Sequence, residues 1–400
     1  MFPSQSDIYT PLVQRFMRIE DVTWGAEKQH FLVRYRGQVL GDSSEAYDRL
    51  AEYLRPSDVT PLFRNEAGRH VIVLVKGVVR PRPSNPWVNL LLIMLTLFSV
   101  LFVGTLLHYD GPLSGDLTQL LPRLLPALEQ GLAYGLSLIV VLLAHEFGHY
   151  LAGRYHQTTV TLPYFIPFPL PPFGTLGAFI QLKETPKNRR ILLDIGIAWP
   201  LCGLLVTIPI LLLGLSLSPL DRLPLTTTPM QGLSMEGNSL LYLLLKYLVF
   251  GKWLPQPLSY GGMVPILYWI RYLFTAAPLP LGGTDVMLHP VAYAGWVGLL
   301  VTGLNLIPAG QLDGGHLLYV LVGQNARRIL PWIILALLAL GMIWSGWWLW
   351  AFLAFMFGRV HAEPLDQITP LDPRRRAIAI LGLILFIFVF TPVPMSIFGM

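Results

Sequence analysis

A single cysteine, Cys202, occurs in the 400 residues, so no disulfide can form within the chain. It lies in an apolar run, IAWPLCGLL, where a thiol behaves as a small packed hydrophobe. Charge is scarce too. Asp, Glu, Lys and Arg make up 13% of the chain against 54% hydrophobic residues, which excludes an ordinary soluble globular protein and marks a membrane one. That charge is unevenly spread: of 28 basic and 23 acidic residues, 22 precede residue 83, so the first fifth reads as water-soluble and the rest does not. No basic patch interleaved with aromatics accompanies the net charge of +5, which argues against a nucleic-acid partner and assigns the excess to cytoplasmic loops. The opening MFPSQSDIYT has neither the basic stretch nor the apolar core of a secretory signal, and no Arg- and Ser-rich transit peptide follows, so the first region is expected in the cytoplasm.

In that region HFLVRYRGQVL (30–40) and HVIVLVKG (70–77) read as strands, and a helix across 43–55 has Asp42 and Glu45 placed as a capping box. The expectation is a small α+β domain that, with the proline-rich linker RPRPSNP, occupies 1–86. It carries no catalytic cluster, and a regulatory or docking role is the default reading.

Apolar runs fill 87–393. Trp87 to His108 holds no acidic or basic side chain before its terminal histidine and is long enough to cross a hydrocarbon layer of about 30 Å. Further runs cover 131–153, 191–217, 289–323, 329–358 and 378–393. Between them, NSLLYLLLKYLVFG and VPILYWIRYLF fit interfacial or re-entrant helices. Residues 329–358, with Gly341, Ser345 and Gly346 in the middle, fit one tilted span or a tight hairpin. Basic residues favour the hairpin: with the N-terminal domain inside, Arg154, Lys183 to Arg190 and Arg327–Arg328 fall inside, and Arg374 to Arg376 joins them only if 329–358 turns back. The predicted fold is therefore a polytopic α-helical membrane protein of seven transmembrane segments, six being the alternative, with the small soluble domain before it and a C-terminal tail over 394–400.

One run ends in HEFGH (145–149), although ionisable groups at membrane depth are costly and need a partner. On a helix His145 and His149 project from one face about 6 Å apart in rise, close enough to bind one metal ion. Zinc suits two imidazoles. Glu146, rotated by about 100°, stands beside such an ion and is placed to take a proton from its water, whose pKa zinc lowers towards about 7. A chance match, with the histidines merely hydrogen-bonded in a helix bundle, is the bland account. It is made rare by the pattern's place inside an apolar helix.

A catalytic zinc needs a third protein ligand. His156 is nearest in sequence, but HEFGHYLAGRYH misses the HExxHxxGxxH spacing by one residue, and a histidine at the membrane edge is the simpler account. Asp313, in NLIPAGQLDGGH, is the better candidate: an acid in an otherwise uncharged membrane stretch, with Pro308, Gly310, Gly314 and Gly315 breaking the helix around it. His316, three residues on, is its competitor.

HEFGH in one segment and NLIPAGQLDGG in a later one resemble the paired motifs of the site-2 protease family of intramembrane zinc metalloproteases, a likeness extending over most of 87–393. PFGTLGAFIQL (172–182), the GNSLLYLLLKYLVFG run and LDPRRR look most like its cyanobacterial and chloroplast branch, whose members carry a soluble domain before the membrane. The resemblance implies one zinc held by His145, His149 and Asp313, Glu146 as general base, and Asn305 as a polar group contacting substrate or the developing oxyanion. It also implies that the proline-rich stretch 163–182 forms a β-hairpin, or a re-entrant loop, over the active site, where it pairs with unwound substrate; a loop that only seals the bundle fits the sequence equally well. Trp199, in IAWPLCG, departs from the family, which usually has glycine there, and a large ring perturbs helix packing near the site.

On this reading the substrate is a single-span membrane protein, already trimmed by another protease and cut within or at the edge of its transmembrane segment to release a cytoplasmic fragment. The host membrane is plasma membrane or thylakoid. The rivals are an intramembrane metal transporter, which needs ligands but no general base, and a catalytically inactive membrane chaperone, which would have lost Glu146.

Overall fold

A computed structural model describes the chain except residues 1–7, 26–30, 67, 82, 112–116, 227–232, 359–362 and 399–400. The first elements are α1 (Thr10–Val13), β1 (Met17–Trp24), β2 (Val33–Val39), α2 (Ser43–Leu54), β3 (Val59–Glu66) and β4 (Arg69–Lys76). The strands make one antiparallel sheet in the order β1-β2-β4-β3. Helix α2 starts where Asp42 Oδ1 accepts from the Ser44 and Glu45 amides at 2.9 and 3.1 Å. The return arm of a capping box is replaced, since the Glu45 carboxylate pairs with Arg49 instead. Ala46, Tyr47, Leu50 and Leu54 recur at helical spacing and bury against Val33, Tyr35, Phe63 and Leu74 of the sheet, which gives this region its own core. The two strands expected from the sequence are β2 and β4, and His30 lies outside the described residues. β1 and β3 are additional.

The remainder is mostly helical: α3 (Pro86–Leu107), α4 (Leu117–Tyr155), β5 (Tyr164–Pro167), β6 (Thr175–Phe179), α5 (Arg189–Ser216), β7 (Leu220–Arg222), β8 (Leu233–Glu236), α6 (Leu240–Phe250), α7 (Pro265–Thr275), β9 (Thr284–Val286), α8 (Pro290–Asn305), α9 (Asp313–Val322), α10 (Ala326–Gly341), α11 (Gly346–Phe357), α12 (Pro373–Val389) and β10 (Met395–Phe398). Among the described residues four helices are long and apolar enough to cross a membrane: Pro86–Leu107, Leu121–Tyr155, Arg189–Ser216 and the nearly continuous Asp313–Gly341. Helices α10 and α11 are separate and pack side by side through Leu330, Leu337, Trp347, Ala351 and Ala354, so 329–358 turns back at 342–345. Residues 395–398 of the expected tail are strand β10, paired antiparallel with β8.

Tyr134, Leu138, Leu142, Leu204, Leu211, Trp296 and Leu299 form the centre of the helical core, bringing α4, α5 and α8 together. Far from HEFGH in the chain, Lys246 is fully buried with its Nζ 3.8 Å from Glu236 Oε1 and 4.4 Å from the centre of the Tyr242 ring, and Asp285 is buried near them.

The N-terminal sheet sits on one end of this bundle. Segment 363–369 runs along β3, where the Phe63 amide donates to Leu365 O and the Gln367 amide to Phe63 O, at 2.9 and 3.0 Å. The Asp366 amide donates to Lys187 O, and Lys187 Nζ reaches Asp48 at 2.8 Å. At the same end Arg190 donates to Pro370 O, Arg327 pairs with Glu363, and Arg375 grips Asp194 through two nitrogens. Three of the basic loops singled out in the sequence thus share the end that carries the N-terminal domain.

Candidate active site

His145, Glu146 and His149 lie near the end of α4, in its last three turns. The histidine Nδ1 atoms face backbone carbonyl oxygens at 2.8 Å, His145 that of Val141 one turn back and His149 that of Ile195 on α5. A carbonyl only accepts, so each Nδ1 carries the hydrogen and each Nε2 is left bare, its lone pair free to accept a hydrogen bond or bind a metal. This is the orientation that outer hydrogen bonds impose on metal-binding imidazoles.

Asp313 is the first residue of α9. Helix α8 ends at Asn305, and 306–312 form irregular turns before the chain becomes helical again, as Pro308 and the left-handed Gly310 require. At Gly314 a side chain is impossible, because a Cβ would lie 1.9 Å from Leu306 O; the start of α9 therefore packs directly on the preceding turn. Asp313 Oδ1 lies 3.1 Å from His149 Nε2, and both side chains are largely buried. With His149 neutral, that contact sets one lone pair against another at hydrogen-bond distance, which is tolerable only if a proton or a metal cation lies between them.

A cavity of about 230 Å³ opens on this pair, lined by Glu146, His149, Trp199, Asn305, Asp313 and His316 among others. Glu146 is buried; its Oε1 accepts from Trp199 Nε1 at 3.0 Å, and its Oε2 has no hydrogen-bond partner among the described residues. Hairpin β5–β6 supplies part of the wall through Ala178 and Phe179. It is tied to α3 and α4 where Asn89 Nδ2 donates to Pro163 O, Ser99 Oγ to Gly174 O and the Tyr134 hydroxyl to Phe173 O.

His145 does not share the His149–Asp313 pair. Its ring, fully buried, lies against the bare backbone of Gly203, where a Cβ would come within 1.8 Å, and its Nε2 is 2.8 Å from Thr302 Oγ1 on α8. Among the described residues no three His, Cys, Asp or Glu side chains stand together as a ready metal cage. The donor set nevertheless fits a zinc ion: two bare Nε2 atoms one helical turn apart, and a carboxylate already drawn to one of them. Completing it requires His145 to exchange Thr302 for the metal.

His156 is elsewhere, its Nε2 3.0 Å from Asp194 Oδ2 in the Arg375 network. Two residues at the site were not identified from the sequence. Thr302 carried no signal, being one hydroxyl in an apolar helix. Trp199 stood out only as a bulky departure. Its ring packs 4.4 Å, centre to centre, from that of His145 and 6.2 Å from that of His149.

Comparison with known proteins places these features in a family. The model of Peptidase family M50 matches residues 133–344, which include both HEFGH and NLIPAGQLDGG. The chain is 27% identical over 400 aligned residues to the probable zinc metalloprotease EGY1, chloroplastic, of Oryza sativa subsp. japonica, covering 91% of this chain and 62% of that one. It is 28% identical to the probable zinc metalloprotease EGY2, chloroplastic, of Arabidopsis thaliana, over 66% of this chain and 42% of that one. It thus spans less than two thirds of the length of these relatives. No solved structure matches the chain. The family match covers more than half of the residues, motifs included, and the chain belongs to Peptidase family M50.

Proposed function

We propose that this chain is an intramembrane zinc metalloprotease that hydrolyses a peptide bond within or at the edge of a substrate's transmembrane segment. The observation that carries the reading is the His149–Asp313 contact beside Glu146, which joins two motifs more than 160 residues apart inside one buried cavity. One zinc ion would be held by His145, His149 and Asp313. When bound, it supplies Lewis-acid polarisation of the scissile carbonyl.

The rest is the work of this chain's own groups. Glu146 Oε2, buried and unshared, accepts a proton from the attacking water and returns it to the leaving amine. The Asn305 amide, at the last turn of α8, donates to the carbonyl oxygen as it gains charge. A transmembrane helix hides its amides in internal hydrogen bonds, so the substrate must unwind; hairpin β5–β6 offers a strand to hold the extended segment.

The substrate is a single-span membrane protein shortened beforehand by another protease, and cleavage releases a cytoplasmic fragment. The chain crosses the bilayer of a plasma membrane or thylakoid with seven segments, α10 and α11 counted separately, and with the N-terminal domain in the cytoplasm. The shared end of the basic loops supports this orientation. A metal transporter needs no base beside its ligands, and the buried Glu146 favours the protease. The test is purified full chain, zinc-loaded, on a labelled transmembrane peptide. Glu146→Gln should keep its zinc and lose about 100-fold or more in rate. Equal cleavage by both forms, or none by either with zinc bound, overturns the proposal.

A further inference from the structure

The geometry points to Trp199 as a positioning residue that fixes which oxygen of Glu146 does the proton transfer; this inference rests on the protease reading above. Glu146 is 3% exposed, so its carboxylate is oriented by the groups packed around it and not by bulk solvent. A carboxylate on a helix turns freely about its last bond unless something pins it. Trp199 does the pinning from the neighbouring helix: its Nε1 donates to Oε1 at 3.0 Å, and Oε2 is left without a partner among the described residues. An indole N–H donates only, so it holds the carboxylate without competing for the proton that Oε2 is to receive.

The position of Trp199 on α5 gives the bond its rigidity. The residue is 2% exposed, and its ring is wedged against both imidazoles of the motif, 4.4 Å from that of His145 and 6.2 Å from that of His149. A ring so confined cannot swing away, and the direction of its N–H is fixed by packing. Pro200 follows inside the helix and has no N–H for the Gly196 carbonyl one turn back; Gly196 is itself on the cavity wall. The bulk that the sequence presents as a disturbance of packing is on this view what holds the base.

Trp199→Phe keeps most of the ring and removes the N–H. Trp199→His restores one, because Nε2 of an imidazole occupies the place in its five-membered ring that Nε1 occupies in indole. With zinc content matched to the parent, Trp199→Phe should lower kcat about tenfold or more with KM within about twofold, tenfold being 1.36 kcal/mol of barrier. Trp199→His should recover part of the loss. A wild-type kcat in Trp199→Phe overturns the inference, as does a loss of kcat that only tracks loss of zinc.

A second readout needs no catalysis. In the metal-free full chain, Trp199→Phe should lower the melting temperature further when residue 146 is Glu than in a Glu146→Ala background, where only the packing loss of the smaller ring remains. Additive shifts overturn the inference. Coupled melting with no peptide cleavage by the zinc-loaded parent would leave the Trp199–Glu146 bond standing and remove the protease reading instead.

Discussion

Thr302→Val tests whether His145 is a zinc ligand. Valine matches threonine in shape, so the substitution removes one hydroxyl from a fully buried position and little else. That hydroxyl lies 2.8 Å from His145 Nε2 and 2.8 Å from Gly298 O, with a single hydrogen to give. Removing it leaves the Nε2 atom of a fully buried imidazole without its partner, at a cost of about 1–3 kcal/mol. If His145 leaves Thr302 to bind zinc, the parent loses this interaction on binding and the variant has nothing to lose. The cycle then closes in one way only: the metal-free variant is destabilised by about 1–3 kcal/mol, and its zinc affinity rises by the same free energy, about 5- to 150-fold. The assay is zinc titration against a competing chelator at fixed pH, paired with melting of the chelated protein. An unchanged dissociation constant in a metal-free variant of lowered stability would mean that His145 remains on Thr302 with zinc bound, and the three-ligand site would be refuted.

Asp313→Ala should reduce bound zinc from about one per chain to a small fraction after dialysis, measured by elemental analysis; retention of stoichiometric zinc would show that another group, His316 first among them, completes the site. Lys246→Met leaves two largely buried acids, Glu236 and Asp285, without their cation and should destabilise the fold by about 3 kcal/mol or more, seen as a lower melting temperature with zinc content unchanged. Burial pushes the Glu236 carboxyl upward, and Lys246 offsets only part of that. The folded state therefore binds this proton more tightly than the unfolded state, so the contribution to stability is full below the ordinary glutamate range and is lost as pH rises towards neutrality. Melting in detergent should decline across that window, and Glu236→Gln should flatten the profile.

The parts of the site that the sequence disclosed are those where lipid makes polar residues expensive. Two histidines and a glutamate at the end of an apolar helix, and an aspartate in a stretch broken by Pro308 and Gly310, are costly unless they meet, and the contact of His149 with Asp313 is the outcome. The turn between α10 and α11 was legible for a related reason. Arg375 has to share a side with Arg190, and it reaches Asp194 at the same end where Arg190 meets Pro370. What stayed hidden was rotamer and partner. That His145 turns to Thr302 follows from the seat left by Gly203, which depends on how closely α4 and α5 approach and not on any spacing within HEFGH. Strand β3 was obscured because Pro61 interrupts VTPLFRNE; a proline inside a strand argues for an edge, and β3 is at the edge of its sheet.

That edge explains how the two regions of the chain are joined. An exposed strand edge presents unpaired amides and carbonyls, and here they are used within the molecule: Phe63 exchanges both of its backbone bonds with segment 363–369. The same segment donates the Asp366 amide to Lys187 O just before α5, and the Gln367 side chain lies 3.3 Å from the Tyr319 hydroxyl on α9, the helix that begins with Asp313. Ser43, at the start of α2, adds a buried hydroxyl contact to Thr369 at 2.8 Å. One short stretch of backbone therefore touches the N-terminal sheet, the entry to the helix carrying Trp199 and the helix carrying Asp313. Because these contacts are backbone pairs and buried polar groups, which lose free energy if left unmade, the N-terminal domain cannot shift on the bundle without disturbing the supports of two cavity-lining helices.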